Sequence, residues 1–302
     1  MSRFVKIASV LFETKAVIGN KDAGEIVLDE TTDILEKMKG HNFDLVVLSE
    51  GIESTAQKIE DAEEINNPGP FLKLYADFAD SEKCYVAGSV KTIEGSKVYN
   101  SVAFVGPQGN SLGVYHKTNL TIGELEGGLT PGRGAVVVDS EIGRIGGAVC
   151  FDLNFEALRK EYSELKPDII VFPSMYHGGL MQPMWAYDCR SFFVSALPFE
   201  GGGILDPLGQ PLALTDCYNR IAVTTVNLDR VIVHLDYNLE KFPDIKKKYG
   251  DEVIIDTPAN IGPALIYSQT ENRSAMDIVE EFELELLDDY LMRSIKGNED
   301  KR

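Results

Sequence analysis

Cys150 closes the stretch Gly143-Arg144-Ile145-Gly146-Gly147-Ala148-Val149-Cys150-Phe151-Asp152. The apolar run Ile145 to Val149, rich in small residues, predicts a buried strand, and the polar change over Cys150 to Asp152 predicts the turn before a helix. A side chain on such a corner faces the crevice at the carboxyl ends of the strands. The next backbone N–H groups can point at a developing negative charge. That address suits a nucleophile. The bland alternative, a small thiol buried in the core, fits less well with glycines on one side and a polar corner on the other.

Two further reactive side chains share this kind of address. Phe43-Asp44-Leu45-Val46-Val47-Leu48-Ser49 reads as a strand buried on both faces, and it ends in Glu50. A strand over Ser111 to Tyr115 runs into His116-Lys117. Taken alone, Glu50 is a solvated strand terminus and Lys117 a surface lysine. Strand ends on the same side of a sheet converge on one crevice, so the trio predicts a carboxylate, an ammonium and a sulfur sharing one pocket.

The elements that must position them alternate in type. Val5 to Phe12 predicts a strand, Ala23 to Met38 a helix capped by Gly40, and Pro70 onward a helix through Leu72, Leu74, Tyr75 and Phe78. Tyr85 to Lys91, Val98 to Val105 and Ser111 to Tyr115 follow as strands, the last two joined by the hairpin turn Gly106 to Asn110. Thr118 to Gly134 has no periodicity and predicts an ordered functional loop carrying Glu124 and Glu126. Beyond it come strands at Ala135 to Val138 and Arg144 to Val149, a helix from Phe155 to Leu165, and a strand from Asp168 to Phe172. Pro183 to Leu197 then predicts one helix, followed by strands at Gly201 to Leu205, Pro211 to Leu214 and Arg220 to Leu228. The order predicts one α/β unit over residues 1–230. Residues 231–302 form an extension with an amphipathic helix near 275–293, whose apolar stripe Ile278, Phe282, Leu286 and Tyr290 packs on the domain or on a second subunit.

Composition limits the partners. The 302 residues are 44% hydrophobic and carry a formal net charge of −19, which repels phosphate backbones, so no nucleic acid is expected. The four cysteines form no CxxC pair and no metal-like group with the four histidines, so neither a metal site nor a disulfide framework is expected. Met1 to Phe12 lacks a leader's cleavage pattern and reads as a first strand; no run is long enough to cross a bilayer. The expectation is a cytoplasmic protein with no membrane partner.

Leu48-Ser49-Glu50, Tyr115-His116-Lys117-Thr118-Asn119-Leu120 with Thr130-Pro131-Gly132, Gly146 to Asp152, Phe172-Pro173-Ser174 and Cys189-Arg190-Ser191 together resemble the nitrilase superfamily of carbon–nitrogen hydrolases. The resemblance spans Val5 to Asp229 in the family's order. It implies a four-layer αββα sandwich, a homodimer or higher homo-oligomer, no cofactor, and a catalytic triad of Glu50, Lys117 and Cys150. It also implies a supporting glutamate before Pro131, for which Glu126 is slightly preferred to Glu124. Asn119, Asn154-Phe155-Glu156-Ala157 and Phe192-Phe193 depart from the family's usual residues, so the resemblance names no individual member.

On this reading Glu50 takes the proton of the Cys150 thiol, and Lys117 with the backbone N–H of Phe151 holds the oxyanion. Tyr176 and His177, just past a strand end, serve as pocket walls. The expected substrate is a small linear amide or N-carbamoyl compound, with water as second reactant. A nitrile-cleaving enzyme with the same triad, and a catalytically silent scaffold on the same fold, are the alternatives. A thiol redox protein fits worse, because no resolving cysteine lies near Cys150.

Overall fold

The computed structural model describes residues 3–302; Met1 and Ser2, the start of the expected first strand, lie outside the described residues. Two compact units divide the chain: residues 6–225, and residues 226–302 together with the described residues up to Val5.

The first unit opens with β1 (Phe4–Val10), α1 (Ala23–Met38), β2 (Leu45–Val47), α2 (Glu50–Ala56) and α3 (Pro70–Glu82), then the meander β3 (Tyr85–Glu94), β4 (Lys97–Val105) and β5 (Ser111–His116). A short α4 (Ile122–Glu126) leads to β6 (Val137–Ser140), β7 (Gly143–Gly147), α5 (Glu156–Leu165), β8 (Ile169–Pro173), α6 (Met181–Cys189) and β9 (Phe192–Ala196). β10 (Gly203–Leu205), β11 (Pro211–Leu214) and β12 (Ile221–Asn227) complete the series. The strands form two six-stranded sheets, ordered β12-β1-β2-β3-β4-β5 and β11-β10-β9-β8-β7-β6.

Each sheet has parallel strands at its centre and antiparallel strands outside. The central strands β2, β8 and β9 are buried along their whole length, as continuous apolar runs require when both faces are covered. Val27, Leu35 and Met38 of α1 and Leu72, Tyr75 and Phe78 of α3 cover one face of the first sheet, packing on Ala8, Val46 and Val86. On the second sheet the Tyr162 hydroxyl of α5 donates to Gly147 O, and Trp185 of α6 is fully buried with its indole N–H on Leu153 O. The inner faces meet directly, the buried Ser9 hydroxyl donating to Ser195 O at 2.5 Å. The unit is the expected αββα sandwich.

Within this unit the segment after α6 differs from the sequence expectation. Pro183 to Leu197 is not a single helix: α6 stops at Cys189, Arg190 turns left-handed at φ 57°, and Phe192–Ala196 is a central strand. The run Phe192-Phe193-Val194-Ser195-Ala196 is buried at every position, so it offers a helix no polar face. Periodicity cannot separate a short, wholly buried strand from a buried helix, and the aromatic and β-branched residues decide for the strand.

The second unit holds a three-stranded sheet in which β15 (Pro263–Ser268) lies between β13 (Arg230–His234) and β14 (Val253–Asp256). It also holds α7 (Phe242–Tyr249), α8 (Ala275–Glu281) and α9 (Leu287–Glu299). The single amphipathic helix expected near 275–293 is therefore two helices. After α8 the chain turns at Glu283, φ 50°, with Leu284 N–H on Val279 O, and Leu286 bridges to Val233. The break seats Leu284 in the cluster of Val233, Phe242, Ile245, Ile266, Ile278 and Val279, whereas Leu291 of α9 is 40% exposed. A full leucine side chain buried at the turn is worth more than continued helical hydrogen bonds. Leu284→Ala is expected to cost about 2–5 kcal/mol and Leu291→Ala no more than about 0.5 kcal/mol. Denaturant unfolding of the two variants checks this; equal losses would restore the single continuous stripe.

Candidate active site

Glu50 is the first residue of α2, reached directly from β2, and the Ser49 hydroxyl caps that helix by accepting from Gly51 N–H at 3.1 Å. Lys117 follows β5 and is pinned on both sides. Its N–H donates to Asn100 O, and its C=O accepts from Gly132 N–H, each at 2.8 Å. Gly132 must be glycine, because a Cβ there would stand 2.1 Å from His116 O. The two side chains meet: Lys117 Nζ lies 3.2 Å from Glu50 Oε1, both almost wholly buried.

Glu124, not Glu126, completes this cluster. Its Oε1 lies 2.8 Å from Lys117 Nζ, while Glu126 is exposed at the end of α4. The local cause is a capping box. Thr121 Oγ1 accepts from Glu124 N–H and Glu124 Oε2 accepts from Thr121 N–H at 2.8 Å, which turns the other carboxylate oxygen inward. The spacing Thr121-x-x-Glu124 was the signal that separates the two glutamates in the sequence.

Cys150 sits on the corner between β7 and a short 3₁₀ turn, Cys150–Asn154, with φ 48°. A non-glycine residue in the left-handed region is uncommon and is held there by its surroundings. Asp152 does much of the holding. Fully buried, it accepts from Val149 N–H at 2.9 Å and the Tyr115 hydroxyl at 2.7 Å on one oxygen, and from Asn119 N–H at 2.8 Å and Nδ2 at 3.0 Å on the other. One carboxylate thus ties the cysteine corner to the segment that carries Lys117. Gly146 sits close beneath, where a Cβ would stand 2.7 Å from the Tyr162 ring.

The electrostatics follow from burial. Loss of hydration pushes the Cys150 thiol up to about 11, the Glu50 charge adds to the rise, and Lys117 with hydrogen bonds from Met175 and Ser174 opposes it. The resting sulfur is therefore a protonated thiol. Burial alone would lower the Lys117 ammonium, but Glu50, Cys150 and Glu124 together raise it, so it stays charged. Burial would raise Glu124, yet the Lys117 charge and its hydrogen bonds win and hold that carboxyl low.

The remaining expected residues divide. Phe151 is 36% exposed and stacks edge-on against Phe155, and its N–H belongs to the first turn of the 3₁₀ segment, where amides lack an earlier partner. Tyr176 is half-buried, and burial raises its phenol, with Asn154 opposing the rise and the Cys150 sulfur adding to it. His177 is exposed, and its hydrogen bonds go to Gly179 and Gln182 rather than to Glu50, Lys117 or Cys150. Sequence reasoning passed over Asn100 and Met175. Met175 N–H donates to Glu50 Oε2 at 2.7 Å. Among the described residues, no group of three or more His, Cys, Asp and Glu side chains is arranged to hold a metal ion, and no helix is long and apolar enough to cross a membrane.

Residues 23–232, which include all of these groups, match the carbon-nitrogen hydrolase family. The chain belongs to that family. A hydrolase of Schizosaccharomyces pombe is 25% identical over 65% of this chain and 70% of its own length. Human omega-amidase NIT2 is 24% identical over 60% of this chain and 71% of its own. The crystal structure of Saccharomyces cerevisiae Nit3, a member of branch 10 of the nitrilase superfamily, superposes with a TM-score of 0.66 at 17% identity, covering 82% of this chain and 95% of that one.

The charges around this hydrolase's thiol can be tested by the pH dependence of Cys150 alkylation, read on its own peptide by mass spectrometry. The midpoint is expected near pH 11, against an ordinary 9.0. Lys117→Met removes the charge that favours the thiolate and should move the midpoint up; Glu50→Gln removes an opposing charge and should move it down. Shifts of the opposite sign would overturn this ordering.

Proposed function

We propose that this carbon–nitrogen hydrolase cleaves a small linear amide or N-carbamoyl compound through a thioester on Cys150. The observation that carries the reading is the buried meeting of Lys117 with Glu50 and Glu124, at 3.2 and 2.8 Å, in the field of the Cys150 thiol. The omega-amidase names among its relatives favour an amide over a nitrile.

In the first half-reaction Cys150 Sγ attacks the carbonyl carbon as its proton passes to Glu50. Base assistance in the same step suits a thiol too weakly acidic to ionise beforehand. The carbonyl electrons move to oxygen, where Lys117 Nζ and the Phe151 N–H stabilise the oxyanion. The C–N bond then breaks, and the leaving nitrogen takes the proton from Glu50. In the second half-reaction Glu50 deprotonates a water that attacks the thioester, the C–S bond breaks, and sulfur recovers the proton. Acid and ammonia or amine are the products. Glu124 keeps Lys117 oriented, and Tyr176 with Phe151 lines the approach to the sulfur.

The reading extends to a protein that works in the cytoplasm as a homodimer, with no nucleic-acid or membrane partner.

Cys150→Ala should lower ammonia release from an amide panel by at least about 10⁴-fold while leaving the far-ultraviolet circular dichroism unchanged. Wild-type protein quenched during turnover should carry the acyl group as a mass increment on the Cys150 peptide. Full activity in the alanine variant would end the proposal. Turnover of nitriles in preference to amides would move it to the nitrilase alternative.

A further inference from the structure

Lys117 is not the only donor shared by the two carboxylates. Asn100, on β4 and 2% exposed, gives one Nδ2 hydrogen to Glu50 Oε1 at 2.9 Å and the other to Glu124 Oε1 at 3.1 Å. These are the two oxygens that Lys117 Nζ contacts at 3.2 and 2.8 Å. Each carboxylate oxygen therefore has one charged and one neutral donor. The amide cannot be turned over, because its oxygen would then face two carboxylate oxygens. That commitment leaves Asn100 Oδ1 buried with no hydrogen-bond partner among the described residues. Buried polar atoms are rarely left unpaired, and an amide held in such an orientation is fixed by what its nitrogen binds.

We propose that Asn100 is a positioning residue: its amide clamps Glu50 and Glu124 side by side, so that Glu50 is held in place to take the Cys150 proton when the thiol attacks. The clamp answers a specific problem. Glu50 faces Glu124 and the Cys150 thiol, and Glu53 lies one turn along its own helix, paired with Lys91. Lys117 is the cation that touches Glu50, and it is shared with Glu124. Further positive charge would trap the base, whereas a neutral amide with two donors relieves the repulsion and adds no competing ion. Lys91 and Asn100 are cross-strand partners on β3 and β4, so sheet register fixes the distance between the clamp and the neighbouring ion pair.

The inference rests on the acid–base role given to Glu50 above, and it can be tested without turnover. The measurement is the pH dependence of Cys150 alkylation by 2-chloroacetamide, normalised to the exposed Cys217, in wild type, Asn100→Ala and Asn100→Asp. Without the amide's donors the Glu50 charge is less well balanced and bears harder on the thiol, so the acidic limb should move to higher pH by about one unit in both variants. The acidic limb of kcat/KM on an amide substrate should move with it. Asn100→Asp keeps the side-chain volume, so it decides the matter if the alanine variant fails to fold. Acidic limbs that coincide with wild type in every folded variant would overturn the proposal, even if activity fell. A failed hydrolysis assay on wild type would overturn the functional reading and leave the alkylation comparison to decide the role of Asn100.

Discussion

An ammonium group sealed from water sets the terms for the rest of this hydrolase. Lys117 and Glu50 expose only 1% and 3% of their side chains, and Glu124 shares the same nitrogen. Burying three charges, two of them alike, is costly unless every lone pair and proton is met. Here the extra donors are neutral: Asn100 Nδ2, Met175 N–H and the capping-box amide of Thr121. The cluster is tolerated because secondary structure on three sides delivers hydrogen bonds to it. Loss of hydration, with the Glu50 charge added to it, is what keeps the neighbouring thiol protonated at rest.

The two sheets divide the labour. The first brings Glu50, Asn100 and Lys117 to one place from β2, β4 and β5, and the second presents Cys150 at the end of β7. Asp152 is the rivet between them, since its two oxygens bind groups belonging to both the cysteine corner and the lysine segment. The strained φ of Cys150 is sustained by these bonds and by tight packing around Gly146 and Tyr162.

Much of this was legible because reactive residues at strand ends stand out against apolar runs. Glu50 and Cys150 follow continuous hydrophobic stretches, and only a fold that gathers strand ends gives them a shared purpose. Asn100 was invisible for the opposite reason: a lone amide inside the strand Val98 to Val105 has no periodic signature, and its importance arises from register. Spacing to Pro131 does not separate Glu124 from Glu126, whereas the Thr121-to-Glu124 cap turns Glu124 and not Glu126 toward Lys117. Phe192 to Ala196 was misread because wholly buried segments carry no amphipathic phase. In the extension, regular spacing from Ile278 to Tyr290 concealed a turn that only the burial of Leu284 explains.

Placing sulfur and its charged neighbours on separate sheets has a chemical corollary. In a nascent or partly melted chain, Cys150 is an ordinary thiol with no carboxylate and no ammonium beside it, no different in kind from Cys84 or Cys189. Its distinct surroundings come into being only on closure of the sandwich, so that assembly itself decides when this thiol parts company with the others.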